Sequence, residues 1–168
     1  MKRNIKNVAV LGSGVMGSAI ACHFANVGLN VILLDIVPNE AQQSNNPKER
    51  NKIVDNALSK ALKSKPSPIY KKSFAKRIKT GNMSDDMHLI SNCDWIIEVV
   101  VERLDIKKIV FENVEKHRKE GTLITTNTSG IPIHTMLEGR SEDFQQHFFG
   151  THFFNPPRYL KLLEIIPT

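Results

Sequence analysis

The chain has 168 residues, of which 40% are hydrophobic and 24% charged, so it contains enough apolar material for one compact domain. It has no apolar run near the ~20 residues that a membrane span needs, and its N-terminus lacks a signal-peptide pattern, so we predict no membrane partner. The two cysteines, Cys22 and Cys93, form no CxxC pair, which predicts a cytoplasmic protein without a disulfide scaffold or a metal site.

The net charge of +6 is distributed unevenly along the chain. Residues 48–79 contain eleven Lys or Arg and two acidic residues, a balance of +9, so the rest of the chain carries −3. A local excess of positive charge indicates a site for a polyanion, whereas a nucleic-acid-binding protein spreads its cations more widely. A solvated helical face is the alternative, and charge alone leaves both open.

The first 35 residues have the pattern of a strand, a helix and a second strand. Residues 5–11 are an apolar run of strand length followed at once by glycines, and a helix is predicted over residues 15–27. Residues 31–34 predict a second buried strand that ends at Asp35. Strands that are apolar throughout are covered on both faces, which is typical of a parallel sheet.

The basic segment interrupts this alternation. Apolar residues at helical spacing in 53–62, a break at Pro66, and then Tyr70, Phe74 and Ile78 at every fourth position predict two antiparallel helices. This helical hairpin covers about residues 48–80. Further strands are predicted at 94–100, 122–126, 148–154 and 162–166, with a helix over about 106–117.

Three glycines after the first strand form a GxGxxG pattern, which is weak by itself. Here the pattern lies between a predicted strand and a predicted helix, and Asp35 ends the next strand about twenty residues later. A dinucleotide-binding site requires this arrangement. The cofactor-binding residues predicted in this unit are Gly12, Gly14, Val15, Met16, Gly17 and Asp35. A plain strand-to-helix turn is the alternative. We therefore predict an α/β fold, a single Rossmann-like domain over residues 1–168 with a doubly wound, mostly parallel sheet and the hairpin inserted after the second strand.

Asp35 also indicates which dinucleotide is bound. A carboxylate at this position accepts hydrogen bonds from both ribose hydroxyls, whereas it repels a 2′-phosphate. The next three residues include no arginine that could bind such a phosphate. The predicted cofactor is therefore NAD(H) rather than NADP(H).

A second group of polar residues lies near the C-terminus and includes Ser129, His152 and Glu164. Removing a hydride from an alcohol carbon requires a base for the hydroxyl proton, and histidine, with an ordinary pKa of ~6.5, suits that task. A carboxylate such as Glu164 on an adjacent strand would orient the ring, and a hydroxyl such as Ser129 would hold the substrate oxygen. The residues alone leave other roles open. His152 could be a hydrogen-bonded core residue, Glu164 a charge on an edge strand, and Ser129 the N-cap of a helix near Pro132.

Several runs resemble the NAD-binding domain of 3-hydroxyacyl-CoA dehydrogenases across essentially the whole chain. The matching runs are VAVLGSGVMGSAIA, IIEVVVERLDIKK, TTNTSGI and GTHFFNPPRYLKLLEII. The HFFNP block, with a glutamate twelve residues after its histidine, is specific to that family among dinucleotide-binding proteins. Its form here looks like that of bacterial multifunctional fatty-acid oxidation proteins. The resemblance implies NAD-dependent oxidation of L-3-hydroxyacyl-CoA to 3-ketoacyl-CoA in fatty-acid β-oxidation.

The resemblance also implies roles for individual residues. His152 matches the catalytic base, Glu164 the carboxylate paired with it, and Ser129 the serine on the substrate and nicotinamide side. Three further positions match residues that line the NAD site: Glu102, Lys107 and Asn155. The hairpin of the family helps to hold coenzyme A, whose phosphates would account for the basic segment.

The family carries a helical domain after this one, which forms the dimer interface and closes over the acyl chain. No such domain is found in the sequence, so we expect the 168 residues to bind NAD(H) with little dehydrogenase activity alone, and the full-length protein to be a homodimer. We also expect exposed apolar surface around Phe153 and Tyr159.

Two other functions remain as alternatives, a dehydrogenase for another hydroxy acid and a non-catalytic NAD(H)-binding module. A small hydroxy acid gives no reason for eleven cations in one segment, and intact Ser129, His152 and Glu164 argue against a degenerate enzyme. A nucleic-acid partner is not predicted, because Tyr70 and Phe74 fall at core spacing rather than forming a stacking platform.

Overall fold

Seven β-strands form one sheet in the computed structural model, which describes residues 3–168. In chain order they are β1 Asn7–Leu11, β2 Asn30–Asp35, β3 Ile78–Asn82, β4 Trp95–Glu98, β5 Leu123–Thr126, β6 Phe148–Phe153 and β7 Leu163–Ile166. They lie in the order β3-β2-β1-β4-β5-β6-β7, and every neighbouring pair is parallel except the antiparallel pair β6 and β7. The predicted Rossmann-like, mostly parallel sheet is confirmed.

Helices cover both faces of this sheet. The α-helices are α1 Val15–Asn26, α2 Pro47–Arg50, α3 Lys52–Lys63, α4 Leu104–His117 and α5 Glu142–Gln146. Short 3-10 helices span Asn39–Ala41, Lys72–Arg77, Met87–Asn92 and Ile133–Met136. Because alternate side chains of a strand point to opposite faces, Leu11 packs in one core with Phe111 of α4, and Val10 packs in the other with Phe24 of α1. Within residues 3–168, none of the helices has the length and apolar character that crossing a membrane requires.

Of the predicted basic hairpin, the first helix is present as α3, whereas the second is reduced to the short 3-10 helix Lys72–Arg77. Helix α3 ends at Lys63, before the predicted break, but no α-helix follows it between residues 64 and 77. Ile78 instead opens β3 and pairs with Val31 of β2. The prediction of a second α-helix is therefore wrong. The parallel ladder to β2 determines the conformation of Ile78. Tyr70, which belongs to the same four-residue repeat, is 55% exposed, so the repeat does not form one buried helical face.

The order of the strands reverses between β1 and β4. The chain continues from β1 to β2 on one side, and β4 pairs with the other side of β1. In sheets of this kind, ligands bind outside the carboxyl ends of the strands at such a reversal. The loops that follow β1, β2, β4 and β5 therefore define the place to look for a site.

Apolar side chains are exposed along the C-terminal segment. Tyr159 is 45% exposed, as predicted, and the side chains of Leu162 and Ile165 are more exposed than that of Tyr159. Phe153 is buried instead, because its ring packs edge-to-face against Phe24 of α1. The exposed apolar surface therefore lies on residues 159–166 and does not include Phe153.

Candidate functional site

The turn between β1 and α1 depends on three glycines in different ways. Gly12 has a φ of +101°, and a Cβ there would lie 2.7 Å from the carbonyl oxygen of Val99. A Cβ on Gly17 would lie 1.9 Å from the carbonyl oxygen of Gly12, so α1 packs directly against the turn. Around Gly14 no heavy atom lies within 4 Å of the Cβ position, so this part of the turn is open to an approaching ligand.

The N-terminus of α1 faces this open side. Its first intrahelical bond runs from the Ser18 amide to the carbonyl oxygen of Gly14 at 2.9 Å, so the amides of the first helical turn have no partner within the helix. No acidic side chain occupies the first turn of the helix. Free amides and an uncompensated helix dipole attract a phosphate group.

Asp35 is held in a fixed orientation at the end of β2. Its Oδ2 accepts hydrogen bonds from the Ser13 amide at 2.6 Å and the Ser13 hydroxyl at 2.5 Å, and its Oδ1 accepts one from the Ile36 amide at 2.7 Å. The carboxylate is thereby joined to the glycine turn. Sequence reasoning did not assign Ser13 this role.

A cavity of about 650 Å³ lies at the carboxyl edge of the sheet. Of the predicted site residues, those that line it are Gly12, Gly14, Val15, Met16, Asp35, Glu102, Lys107 and Ser129. Gly17 acts behind this surface by letting α1 approach the turn. Three predicted site residues are not part of this lining, namely His152, Glu164 and the exposed Asn155.

A buried ion pair joins β4 to α4 at the wall of the cavity. The Lys107 Nζ lies 2.8 and 3.0 Å from the two carboxylate oxygens of Glu98 and 3.3 Å from Oε2 of Glu102. Burial raises the pKa of Glu98, and the Lys107 ammonium opposes that rise. Glu98 also accepts a hydrogen bond from the Thr126 hydroxyl at 2.6 Å, which fixes the end of β5.

Glu102 organises the loop that carries Ser129. It accepts hydrogen bonds from the Thr128 hydroxyl, from the Ser129 amide at 3.1 Å and from the Gly130 amide at 3.0 Å. Burial raises the pKa of Glu102, but these hydrogen bonds and the charge of Lys107 outweigh it and lower the pKa to about 2. Ser129 does not cap the following 3-10 helix, which begins after Pro132 without a side-chain cap.

His152 and Glu164 face each other across β6 and β7. They are paired residues of the antiparallel ladder, and the Nδ1 of His152 lies 2.7 Å from Oε2 of Glu164. The contact predicted between them is therefore present. The amide of Phe153, the next residue, donates to Oδ1 of Asn127 at 2.9 Å, and Asn127 lines the cavity. This bond connects the end of β6 to the cavity wall.

A second depression, of about 530 Å³, lies on the surface of α3. It is lined by Asn56, Ser59, Lys60, Lys63 and Ser64. Two ammonium groups and three uncharged hydrogen-bonding side chains make this depression suited to phosphate oxygens.

The sequence profile of the family described as "3-hydroxyacyl-CoA dehydrogenase, NAD binding domain" matches residues 7–168. The chain belongs to this family. Its membership in the 3-hydroxyacyl-CoA dehydrogenase family makes NAD the cofactor of this domain.

Two curated relatives and one solved structure illustrate the similarity of this 3-hydroxyacyl-CoA dehydrogenase domain to known proteins. A "Probable 3-hydroxyacyl-CoA dehydrogenase" of Bacillus subtilis is 51% identical over 99% of the chain, and a "Putative fatty acid oxidation complex trifunctional enzyme" of Rickettsia felis is 43% identical over 99%. The chain spans 22% of the length of each of these relatives. The crystal structure of 3-hydroxybutyryl-CoA dehydrogenase from Escherichia coli K12 superposes with a TM-score of 0.70 at 30% identity, over 97% of this chain and 32% of that one.

The residues of the cavity fit a dinucleotide. Gly14 leaves room for a pyrophosphate at the N-terminus of α1, and Asp35 lies at the end of the neighbouring strand. The volume of about 650 Å³ falls within the ordinary range for cofactor sites. The glycine turn would hold the pyrophosphate of NAD, and Asp35 the ribose hydroxyls of its adenosine.

Proposed function

We propose that this domain provides the cofactor site and the catalytic base of an enzyme that oxidises L-3-hydroxyacyl-CoA to 3-ketoacyl-CoA in fatty-acid β-oxidation. The observation that carries the proposal is the hydrogen-bonded pair His152 and Glu164, on a strand whose Phe153 amide bonds to Asn127 of the cavity wall. The names of the relatives, a 3-hydroxyacyl-CoA dehydrogenase and a fatty acid oxidation enzyme, support this choice of substrate and pathway.

His152 accepts the proton of the substrate's 3-hydroxyl group. With its Nδ1–H donated to Glu164, the ring has a lone pair free on Nε2, which is the atom that takes the proton. Glu164 keeps the ring in this tautomer and stabilises the imidazolium that forms. When bound, NAD supplies the acceptor for the hydride that leaves C3.

Ser129 holds the reacting oxygen of the substrate by a hydrogen bond from its hydroxyl. Its backbone is fixed by the bond from its amide to Glu102, and its side chain lines the cavity. A donor that is held in place before the substrate binds lowers the cost of orienting the reacting groups.

The depression on α3 binds the phosphates of coenzyme A. Its two lysines, Lys60 and Lys63, form charge-assisted bonds with phosphate oxygens, which a small hydroxy acid does not offer. This feature favours a coenzyme A thioester over another hydroxy acid. Lys63, the last residue of α3, is the better residue to substitute, because a change at a helix end disturbs the helix least.

The proposal is tested by assaying the full natural protein chain with acetoacetyl-CoA and NADH. We expect turnover, competitive inhibition by free coenzyme A, and a rise in KM of about 10- to 100-fold for Lys63→Glu, since a charge-assisted bond contributes ~1.5–3 kcal/mol. Glu120→Gln, at an exposed position before the amino end of β5, serves as a surface control. A protein that binds NADH but turns over no hydroxyacyl or ketoacyl thioester would instead be a non-catalytic NAD(H)-binding module.

A further inference from the structure

Arg158 joins two segments that are distant in sequence. It lies in the connection between β6 and β7, and its Nη1 donates hydrogen bonds to the carbonyl oxygens of Ser67 at 2.5 Å and Ile69 at 3.2 Å. Both acceptors belong to the segment that follows α3. The guanidinium therefore spans the space between the β6–β7 connection and the basic part of the chain.

Two tyrosines flank the same guanidinium. Its Cζ lies 4.4 Å from the ring centre of Tyr70 and 5.0 Å from that of Tyr159. The Tyr159 hydroxyl also donates to the carbonyl oxygen of Ser67 at 3.2 Å. A planar, delocalised cation suits this position between two rings, whereas the compact ammonium of a lysine does not stack on them in the same way.

The two ends of this contact belong to different parts of the proposed site. The β6–β7 connection is anchored by the ladder that pairs His152 with Glu164. The other end, residues 67–70, is separated by residues 64–66 from the last turn of α3, which carries Lys60 and Lys63. Arg158 thus links the lysines to the strand pair that holds the histidine.

His152 has supports that do not depend on Arg158. The β6–β7 ladder and the bond from the Phe153 amide to Asn127 hold its strand. By contrast, residues 64–71 have no ladder of their own and are tied elsewhere through Asn26, which bonds the Tyr70 amide and the Pro68 carbonyl oxygen. Loss of the arginine therefore loosens residues 64–71, which follow the two lysines, more than it loosens the histidine.

We propose that Arg158 is a positioning residue that sets the place of the phosphate-binding lysines relative to His152. A thioester held by its nucleotide phosphates then presents its C3 atom to the imidazole without a further search for orientation. The inference rests on the proposed function, because it requires a substrate that carries the coenzyme A nucleotide.

The test compares two substrates in the full natural protein chain. Acetoacetyl-CoA carries the nucleotide, and acetoacetyl-N-acetylcysteamine has the same reacting group without it. We expect Arg158→Met to raise the KM for acetoacetyl-CoA on the order of tenfold, while kcat and the kinetics of the short thioester change little. Arg158→Lys should behave like Arg158→Met, because restoring the charge does not restore the stacking of a planar group on the two tyrosine rings.

Arg77→Met is the matched control. Arg77 also lies over an aromatic ring, that of Phe74, and donates to a backbone carbonyl oxygen, that of Ala25, but it contacts α1 instead of the β6–β7 connection. We expect this variant to lower the melting temperature without changing the ratio of kcat/KM for the two substrates. Tyr70→Leu, which removes one face of the stack, should show the selective effect if Arg158→Met fails to fold.

Equal losses for both substrates, or no loss for either, would overturn the inference while leaving the proposed function intact. Full recovery of KM in Arg158→Lys would also overturn it, because Arg158 would then act as a direct charge partner of the phosphates. If the unaltered protein turned over neither thioester, the proposed function and the inference would fall together.

Discussion

The Nδ1 atom of His152 lies 2.7 Å from Oε2 of Glu164, and the two residues are direct partners across the antiparallel strands β6 and β7. The register of two paired strands sets this contact, so the imidazole is oriented before any ligand binds. Groups held by strands are positioned more accurately than groups held by loops. Both strands lie beyond β5 in the sheet, and the loop that carries Ser129 follows β5.

Replacing Glu164 with glutamine should reduce kcat by about 10²–10⁴-fold, because an amide neither stabilises the imidazolium nor enforces its tautomer. NADH affinity should stay within about twofold, since Glu164 does not line the cavity. Steady-state kinetics and a binding titration on the full natural chain measure the two effects.

The matched variant Lys161→Gln removes another exposed charge from the same segment and should leave kcat unchanged. If Glu164→Gln only increased aggregation and kept its kcat, Glu164 would be a charge that protects an edge strand.

Replacing Asp35 with serine should weaken NADH binding by about 10- to 100-fold, because hydrogen bonds to a charged carboxylate contribute about 1.5–3 kcal/mol. The same change removes the charge that repels a 2′-phosphate, so the preference for NADH over NADPH should narrow. Fluorescence titration with both dinucleotides measures the two affinities, with Glu120→Gln as the control. An unchanged NADH affinity would show that Asp35 serves only to hold Ser13.

Gly14 and Gly17 should respond differently to alanine. Gly17→Ala places a methyl group 1.9 Å from the backbone oxygen of Gly12, and overpacking of this kind costs about 1–3 kcal/mol or more, so its melting temperature should fall. Gly14→Ala meets no neighbouring atom, so it should keep its melting temperature and lose NADH affinity as its methyl group enters the ligand space. Equal stability of the two variants would contradict this assignment.

Much of this part of the fold could be predicted from sequence. The glycine pattern, the apolar strands on either side of it and Asp35 all point to the same local structure, and that structure is present. Strand β3 could not be predicted, because its sequence IKTGN contains only one strongly apolar residue and Ile78 also completes a helical repeat. Its conformation depends on pairing with β2, which is a tertiary effect.

The ion pair beside the cavity was missed for a similar reason. Glu98 lies in the apolar run of β4, and a carboxylate that is buried in such a run needs a charged or hydrogen-bonding partner. Its position in the sequence therefore indicates a buried pair, although not which residue completes it. Lys107, nine positions later on α4, was assigned to the cofactor by resemblance alone. Asn155 was assigned in the same way, and only the structure places it outside the cavity lining.

Glu102→Gln should change the acid stability of the domain. The pKa of Glu102 is about 2 in the folded protein against an ordinary 4.5. A carboxylate whose pKa is lower in the folded than in the unfolded state contributes its full stabilisation when the pH is above the unfolded pKa of about 4.5. This contribution disappears as the pH falls from 4.5 towards 2. The variant should therefore be less stable than the unaltered protein at neutral pH and nearly as stable near pH 2.

Urea unfolding midpoints at several pH values measure this difference in stability between the unaltered protein and Glu102→Gln. Thr128→Val, which removes one hydrogen bond to the same carboxylate, should give a smaller effect with the same pH dependence. A gap between the unaltered protein and Glu102→Gln that stays constant from neutral pH to pH 2 would mean that the carboxylate is not held ionised by its neighbours.

The most direct test of the account is a paired measurement on His152→Gln in the full natural chain, namely kcat with acetoacetyl-CoA and the dissociation constant for NADH. We predict a fall in kcat of about 10²–10⁴-fold, the usual contribution of a general acid or base, with NADH affinity nearly unchanged. A variant that keeps its kcat, or that loses NADH affinity as steeply as kcat, would contradict a catalytic role for His152.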